Sequence, residues 1–465
     1  MAPSTSPESQ VLAKIFRHLD FTSLWGCSLV CNSWRQAALP FLFRNMVVEL
    51  WTDDDHNIHT FMHMLCKTNR VQSGNYIREL QLVGGGCMHP NHNVQLSPWH
   101  LRCIVERCPN LRTLVLSEVL LMGPGFNNIP YIRPRLDLLK LEQCQVYKKG
   151  GAMHLHYLLS LFASITTLDL DVSWVYLWGN PAPLPTQEMI RTVKHMVLPS
   201  SNVPISSVTI HNLPLDWALA LGNSFERTGK GGKGDPESSL QEITIWPQAD
   251  IVQGLLPWPK GEEHLVSMGQ FIDAASVGPE IKVLRINTMD YPTLPWLDFE
   301  PGSVDEAYLP PRSVNTLQLD RCQGVCSLLF SFESGFWGPT DAKFDLAFQA
   351  ALDIVTYVPF PQLERIFFHI DPNCEFGSDG QLTDDRWEDM DEGLADDSFN
   401  TLHSVVIIHS EETDESLFQQ LLPTLHEKGK VEYWPTDIPW WDLELEDDDE
   451  DGSETASNAS SITLV

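Results

Sequence analysis

Positive charge is scarce in this chain: 30 lysines and arginines stand against 62 aspartates and glutamates, for a formal net charge of −32. That balance repels a phosphate backbone and argues against nucleic-acid binding. Long hydrophobic runs are missing too, since no stretch of about 18 apolar residues occurs, and a membrane-spanning helix is not expected. The opening MAPSTSPESQ has neither the basic start nor the apolar stretch of a signal peptide. The expectation is an intracellular protein, cytoplasmic or nuclear. Ten cysteines are present without a Cys-x-x-Cys pair, and several occupy apolar positions of periodic segments, where a reduced thiol acts as a small hydrophobe.

Catalytic signatures are absent as well: neither Gly-x-Ser-x-Gly nor His-Glu-x-x-His occurs. GKGGKGD at 229–235 resembles a phosphate loop, but Arg227 stands where its first glycine belongs and Gly234 replaces the magnesium-binding hydroxyl. It reads as an insertion. Cys87, His89 and His92, with Cys103 or Cys108, could supply zinc ligands. The stretch from Leu101 to Cys108 has the periodicity of an amphipathic helix, however, where cysteine belongs to the core. The eleven acids and one arginine of residues 371–397 lack the order of a calcium loop and read as solvated. No metal, no cofactor and no enzymatic activity are expected. Residues 442–454 hold nine acids and no base, and a disordered acidic tail is expected over 441–465, ending in a loose PDZ-type Thr463-Leu464-Val465.

What the chain does have is a repeat. The pattern apolar-x-x-apolar-x-apolar occurs at Ile77/Leu80/Leu82, Leu111/Leu114/Leu116, Leu136/Leu139/Leu141, Ile165/Leu168/Leu170, Ile205/Val208/Ile210, Leu240/Ile243/Ile245, Ile281/Leu284/Ile286, Val314/Leu317/Leu319, Leu363/Ile366/Phe368 and Leu402/Val405/Ile407. Its last two apolar positions lie two apart, so on a strand both point to one face. Helix-like stretches such as LHYLLSLFASI intervene. A strand followed by a helix that returns to the next parallel strand is the leucine-rich-repeat arrangement, each unit burying its apolar face against its neighbours. The spacings are long for that architecture, which predicts insertions at 84–98, 222–239, 288–312 and 371–398, where Gly, Pro and Asp oppose regular structure. An irregular α/β domain is the other reading. Trp434, Trp440 and Trp441 are expected to cap the far end.

At the N-terminus, Val11, Leu12, Ile15, Phe16 and Leu19 fall on one helical face, and Leu24, Cys27, Val30, Cys31 and Trp34 repeat the pattern after a turn at Asp20, with Pro40 ending the second helix. Two or three such helices cannot bury their own apolar faces, so those faces must meet the rest of the chain or another protein. Leu12, Ile15-Phe16, Leu19-Asp20, Ser23-Leu24, Val30-Cys31 and Trp34-Arg35 resemble, in order and spacing, the F-box. The usual opening Leu-Pro is missing, and Pro7 stands one place too early.

The resemblance implies a fold: an α/β chain with a three-helix F-box at 7–46, then an irregular leucine-rich-repeat solenoid with a curved parallel sheet at 47–440, similar to those of large fungal F-box families. It also implies a function, that of the substrate receptor of an SCF-type ubiquitin ligase. The F-box would bind a Skp-type adaptor and through it the cullin core, and the repeats would bind a protein substrate. Leu12, Ile15, Phe16 and Leu19 would lie in the adaptor's groove, and Leu24, Val30, Cys31 and Trp34 would complete the docking surface or the module's small core. Substrate would meet the concave face, at outward positions that include Lys140, Arg285, Gln318 and Phe367. The alternative is a non-catalytic acidic scaffold or chaperone for a basic partner, without ubiquitylation.

Overall fold

The computed structural model describes residues 7–50, 57–66, 73–84, 94–122, 133–146, 151–174, 203–213, 215–229, 240–245, 267–273, 281–287, 317–332, 348, 350–356, 358–370, 384–396, 399–409 and 419–435. Three helices open the chain: α1 (Pro7–Phe16), α2 (Phe21–Val30) and α3 (Asn32–Leu42). The periodicity read as one second helix is broken at Cys31, whose extended backbone (φ −160°, ψ 172°) separates α2 from α3 and moves Trp34 onto α3. Pro40 does not end that helix, which runs on to Leu42. So close to the C-terminal end, a missing N–H removes a single hydrogen bond.

A sheet follows without an intervening linker. Its main path is β1 (Asn45–Glu49), β2 (Glu79–Val83), β4 (Thr113–Ser117), β6 (Arg135–Val146), β7 (Ser164–Trp174), β8 (Ile205–Asn212), β9 (Glu242–Ile245), β10 (Val283–Asn287), β11 (Ser327–Phe332), β12 (Arg365–Ile370), β13 (Ser404–His409) and β14 (Val431–Pro435), each parallel to the next. The short strands β3 (Gln95–Leu96) and β5 (Leu120–Leu121) form a side ladder on β6. Strand order follows chain order, as expected when each unit packs only on its neighbours. Register partners lie from 25 residues apart (Thr113 and Leu138) to 44 (Val283 and Ser327).

Nine of the ten repeat units form strands or lead into them, with their apolar positions buried on one face. The exception is Val314/Leu317/Leu319. Leu317 and Leu319 are buried, but Leu319–Arg321 is a 3-10 turn entered through Gln318 in the left-handed region (φ 53°). The strand lies in the unit eleven residues on, Val325/Leu328/Phe330, which has the same spacing and is fully buried. Phe43/Met46/Val48 shares the spacing too and forms β1, across the 46/47 junction expected between domains.

Among the described residues the remaining helices are α4 (Asn57–Cys66), α5 (Pro98–Arg107), α6 (Gly151–Ser160), α7 (Leu215–Gly229), α8 (Asp384–Ala395) and α9 (Pro423–Glu427), with further helical residues at 267–273 and 350–356. Successive helices α4, α5, α6 and α7 pack side by side. Together with the strands they enclose one hydrophobic cluster extending from Leu50 to Leu425.

Helix α8 corrects the reading of 371–398 as an unstructured acidic insertion. Trp387, Met390 and Leu394, spaced by three and four, bury one face among the core residues. Asp391 is buried as well, and its carboxylate accepts from the backbone N–H of Thr424 (2.7 Å) and Leu425 (2.8 Å), capping the start of α9. Likewise Gln95–Leu96 and residues 222–229 are regular structure inside two expected insertions. The rest of those two insertions from 85 to 93 and from 230 to 239, together with 288–312 and 371–383, lies outside the described residues, as do Trp440, Trp441 and the acidic tail.

Candidate functional site

The N-terminal module has a small core of its own. Leu12, Phe16, Leu24, Ala38 and Leu42 are buried together, with Leu19, Cys27 and Trp34 packed around them. The Phe16 and Trp34 rings meet edge to face at 5.5 Å. Polar contacts fix the turns. Asp20 caps α2 by accepting from the Ser23 N–H at 2.7 Å, and this hydrogen bond holds its carboxyl below the usual carboxylate range. Arg35 Nε donates to the Ser28 carbonyl at 3.1 Å, tying α3 to α2.

This core claims Leu12 and Phe16, which the groove reading assigned to a partner, and Leu24, which was left open between docking surface and core. Leu12, Phe16 and Leu24 are at most 8% exposed and face inward, so they build the module and do not meet an outside surface. Of the remaining residues named from sequence, Ile15, Val30 and Cys31 are exposed, while Leu19 and Trp34 are half-buried.

The outer surface carries more apolar residues than the sequence reading named, since Phe21, Trp25 and Leu29 were passed over. Val11 and Ile15 lie one turn apart on α1, and Phe21, Trp25 and Leu29 make a stripe at four-residue spacing along α2. With Val30 these are the exposed large side chains of the module, each between 51% and 66% accessible. Leaving them in water forgoes roughly 1.5–3 kcal/mol apiece. The four-residue spacing of Phe21, Trp25 and Leu29 was the available signal, masked by the competing periodicity of Leu24 and Cys27.

On the sheet, the second face is defined by one continuous register row: Val47, Gln81, Val115, Lys140, Asp169, Thr209, Thr244, Arg285, Leu329, Phe367, Val406 and Glu432. Lys140, Arg285 and Phe367 are in it. Gln318 is not, because its segment is the 3-10 turn, and Leu329 occupies the position instead. Exposure changes along the row. Val47 is 64% accessible and Gln81, Val115, Lys140, Asp169 and Thr209 are half-buried, whereas Thr244 and Arg285 are buried and Leu329, Phe367 and Val406 are at 0%.

The buried end of this face is a second apolar cluster of Leu329, Phe367, Val406 and Ile408, with the Trp434 ring edge-on to Phe367 at 5.8 Å. Arg285 donates from Nε to Glu242 at 2.5 Å. In the open end, Lys140 pairs with Glu142 (3.4 Å) and Asp169 (3.9 Å), and His211 approaches Asp169 at 3.1 Å.

Of the zinc candidates, Cys87, His89 and His92 lie outside the described residues. Cys108 ends α5 fully buried, and burial pushes its thiol up to about 12, which disfavours the thiolate a metal needs. Among the described residues no group of three or more potential metal ligands converges, and no helix is long and apolar enough to cross a membrane.

Comparison with known families agrees with the module's geometry. An F-box-like family model matches residues 9–49, a span holding α1, α2, α3 and β1. No curated protein matches the chain. The chain thus carries an F-box-like domain ahead of a large parallel α/β sheet. F-box domains in general bind Skp-type adaptors, and proteins bearing them are typically non-catalytic substrate receptors.

Proposed function

We propose that this chain is the substrate receptor of an SCF-type ubiquitin ligase, with residues 7–46 docking on a Skp-type adaptor and the sheet domain, 47–440, capturing the protein to be modified. One observation carries the reading: the segment matched by the F-box-like family also bears six solvent-facing apolar side chains on α1 and α2. An amphipathic face laid into a partner's groove is the physical use of such a surface. Ile15, Val30 and Cys31, joined by Val11, Phe21, Trp25 and Leu29, are the adaptor-facing set, and Leu12, Phe16 and Leu24 support it from within.

The sheet domain is an irregular leucine-rich-repeat solenoid in this reading. Its support is the strictly sequential parallel order of the main path and the recurrence of the six-residue pattern in all but the last of its strands. Substrate meets the open end of the second face, around Gln81, Val115 and Lys140. Arg285 and Phe367 contribute to the stability of the closed end. The chain transfers no group itself and needs no cofactor.

The test is reconstitution with the full-length chain. It should co-elute with a Skp-type adaptor and a cullin core, and proteins captured by it should become ubiquitylated when the remaining ligase components are added. A chain that stays free of the adaptor would refute the receptor reading and favour the acidic scaffold.

A further inference from the structure

Arg44, Arg78 and Arg112 each stand immediately before a strand, at β1, β2 and β4, and are 34 residues apart (78 − 44 and 112 − 78). The backbone holds them in adjacent rungs. The Arg44 carbonyl accepts from the N–H groups of Arg78 (2.9 Å) and Glu79 (3.0 Å), and the Arg78 carbonyl accepts from Arg112 (2.7 Å) and Thr113 (2.9 Å). Neighbouring rungs of a sheet lie about 4.8 Å apart, so three guanidinium groups leave one sheet edge within about 10 Å. All three side chains are exposed. Among the described residues Arg44 and Arg78 have no carboxylate in ion-pair range, and Arg112 has only Asp137 at 3.3 Å, a pair open to solvent on both sides.

Stacked like charges repel, and here they persist in a chain with a 32-charge acidic excess. Beside the first two arginines lies a cleft of about 220 Å³, lined by Pro40 and Phe41 of α3, by Arg44, Tyr76 and Arg78, and by Asn110. Asn110 donates from Nδ2 to the Asn75 carbonyl at 2.7 Å, bracing the turn that forms one wall. The cleft therefore combines two cationic side chains with apolar and amide ones, and it sits where the three-helix module meets the sheet. The chain's acidic excess does not cancel it at range, because charges beyond a Debye length of about 8 Å are screened in physiological salt.

We propose that this arginine ladder and its cleft bind an acidic, Asp/Glu-rich segment of a partner protein. A single phosphate would engage one or two guanidinium groups. An extended acidic chain spreads its carboxylates over the whole row, with alternate side chains about 6.6 Å apart on one face, and each arginine can take a carboxylate through paired N–H donors. The role of that segment as the recognition element of a captured protein rests on the receptor reading; its chemistry does not.

The probe is a fluorescein-labelled twelve-residue peptide of alternating aspartate and alanine, titrated with the full-length chain and followed by anisotropy. Its counterpart carries asparagine for aspartate. The wild type should bind the acidic peptide at least about tenfold more tightly than the neutral one, and Arg44→Gln/Arg78→Gln should remove that preference. Lys282→Gln, at the same edge position before β10 and six strands away from Arg78, should leave it intact. No preference in the wild type, or equal losses in both variants, would overturn the site. A tenfold gain on changing Asp447, Asp448 and Asp449 to asparagine would overturn the partner assignment, since the chain's own acidic run would then be the occupant. Adaptor capture by the wild-type chain, measured in parallel, separates the two readings: capture by a wild type that shows no peptide preference defeats this site alone, and a peptide preference in a wild type that never captures adaptor defeats the receptor reading alone.

Discussion

The three-helix module and the sheet domain spend apolar residues in opposite ways. In the sheet domain the described repeat positions of β2 to β13 are buried on the core face, and part of the second face is closed as well, by Leu329, Phe367, Val406 and Ile408. In the module five side chains form the core while Val11, Ile15, Phe21, Trp25, Leu29 and Val30 remain in solvent. A fold that can close an apolar face closes it, because burial contributes about 25 cal/mol per Å². A face left open on a helical pair too small to bury it is a surface shaped by a partner. Under the proposed function, the comparison separates residues that hold the protein together from residues that meet a partner.

The largest effects should come from substitutions that treat the two faces as alike. Phe367→Ala, in the closed end of the second face, should cost roughly 3–5 kcal/mol by chemical denaturation, and Phe16→Ala a similar amount within the module. If Phe367→Ala left the unfolding midpoint unchanged and abolished substrate capture instead, the closed end would be a binding surface and the division would fail.

Next come two tests of how the sheet domain is sealed. Asp391→Ala orphans the N–H groups of Thr424 and Leu425 and should cost about 1–3 kcal/mol for each donor left buried without a partner. Gly84→Ala sets a methyl group against the Glu118 carbonyl, a backbone atom that cannot swing aside. It should destabilise by about 1–3 kcal/mol, the usual cost of overpacking, whereas alanine at Gly26 in α2, where a side chain meets open space, should leave stability unchanged or raise it slightly.

A smaller effect should appear with pH. His154 in α6 is buried, neither ring nitrogen has a protein partner among the described residues, and desolvation lowers its pKa. The folded chain disfavours the imidazolium relative to the unfolded chain, which protonates near 6.5. Below that value the unfolded state binds more protons, so stability is full above about pH 6.5 and falls as the pH drops. Melting temperature should decline between pH 7.5 and 5.5, and His154→Leu should flatten the decline. His100 and His156, lowered in the same direction by burial, contribute to what remains.

Much of the sheet was legible because its strands carry a pattern with a period of two and a fixed lead-in. The pattern says nothing about which of two nearby matches is the strand. Val314/Leu317/Leu319 and Val325/Leu328/Phe330 fit equally well, and the choice is made by parallel pairing of Ser327 with Val283 and Arg365, a contact between distant residues. Helix α8 was hidden by composition: its six acids drew attention away from the spacing of Trp387, Met390 and Leu394. In the module the family spacing was plain, but which apolar residues face inward depends on how three helices pack. Leu12 and Val11 are neighbours in sequence, and the structure sends one to the core and the other to solvent.

The most direct measurement is the affinity of a Skp-type adaptor for the full-length chain carrying Ile15→Asp and Trp25→Asp, with thermal unfolding recorded on the same sample. Both side chains are more than half exposed, so the fold should melt as the wild type does. Two unpaired carboxylates in a closed apolar interface should cost several kcal/mol, a loss of affinity of about a thousandfold. An unchanged melt with lost affinity is the result the account predicts. Unchanged affinity, or a module that unfolds, would contradict it.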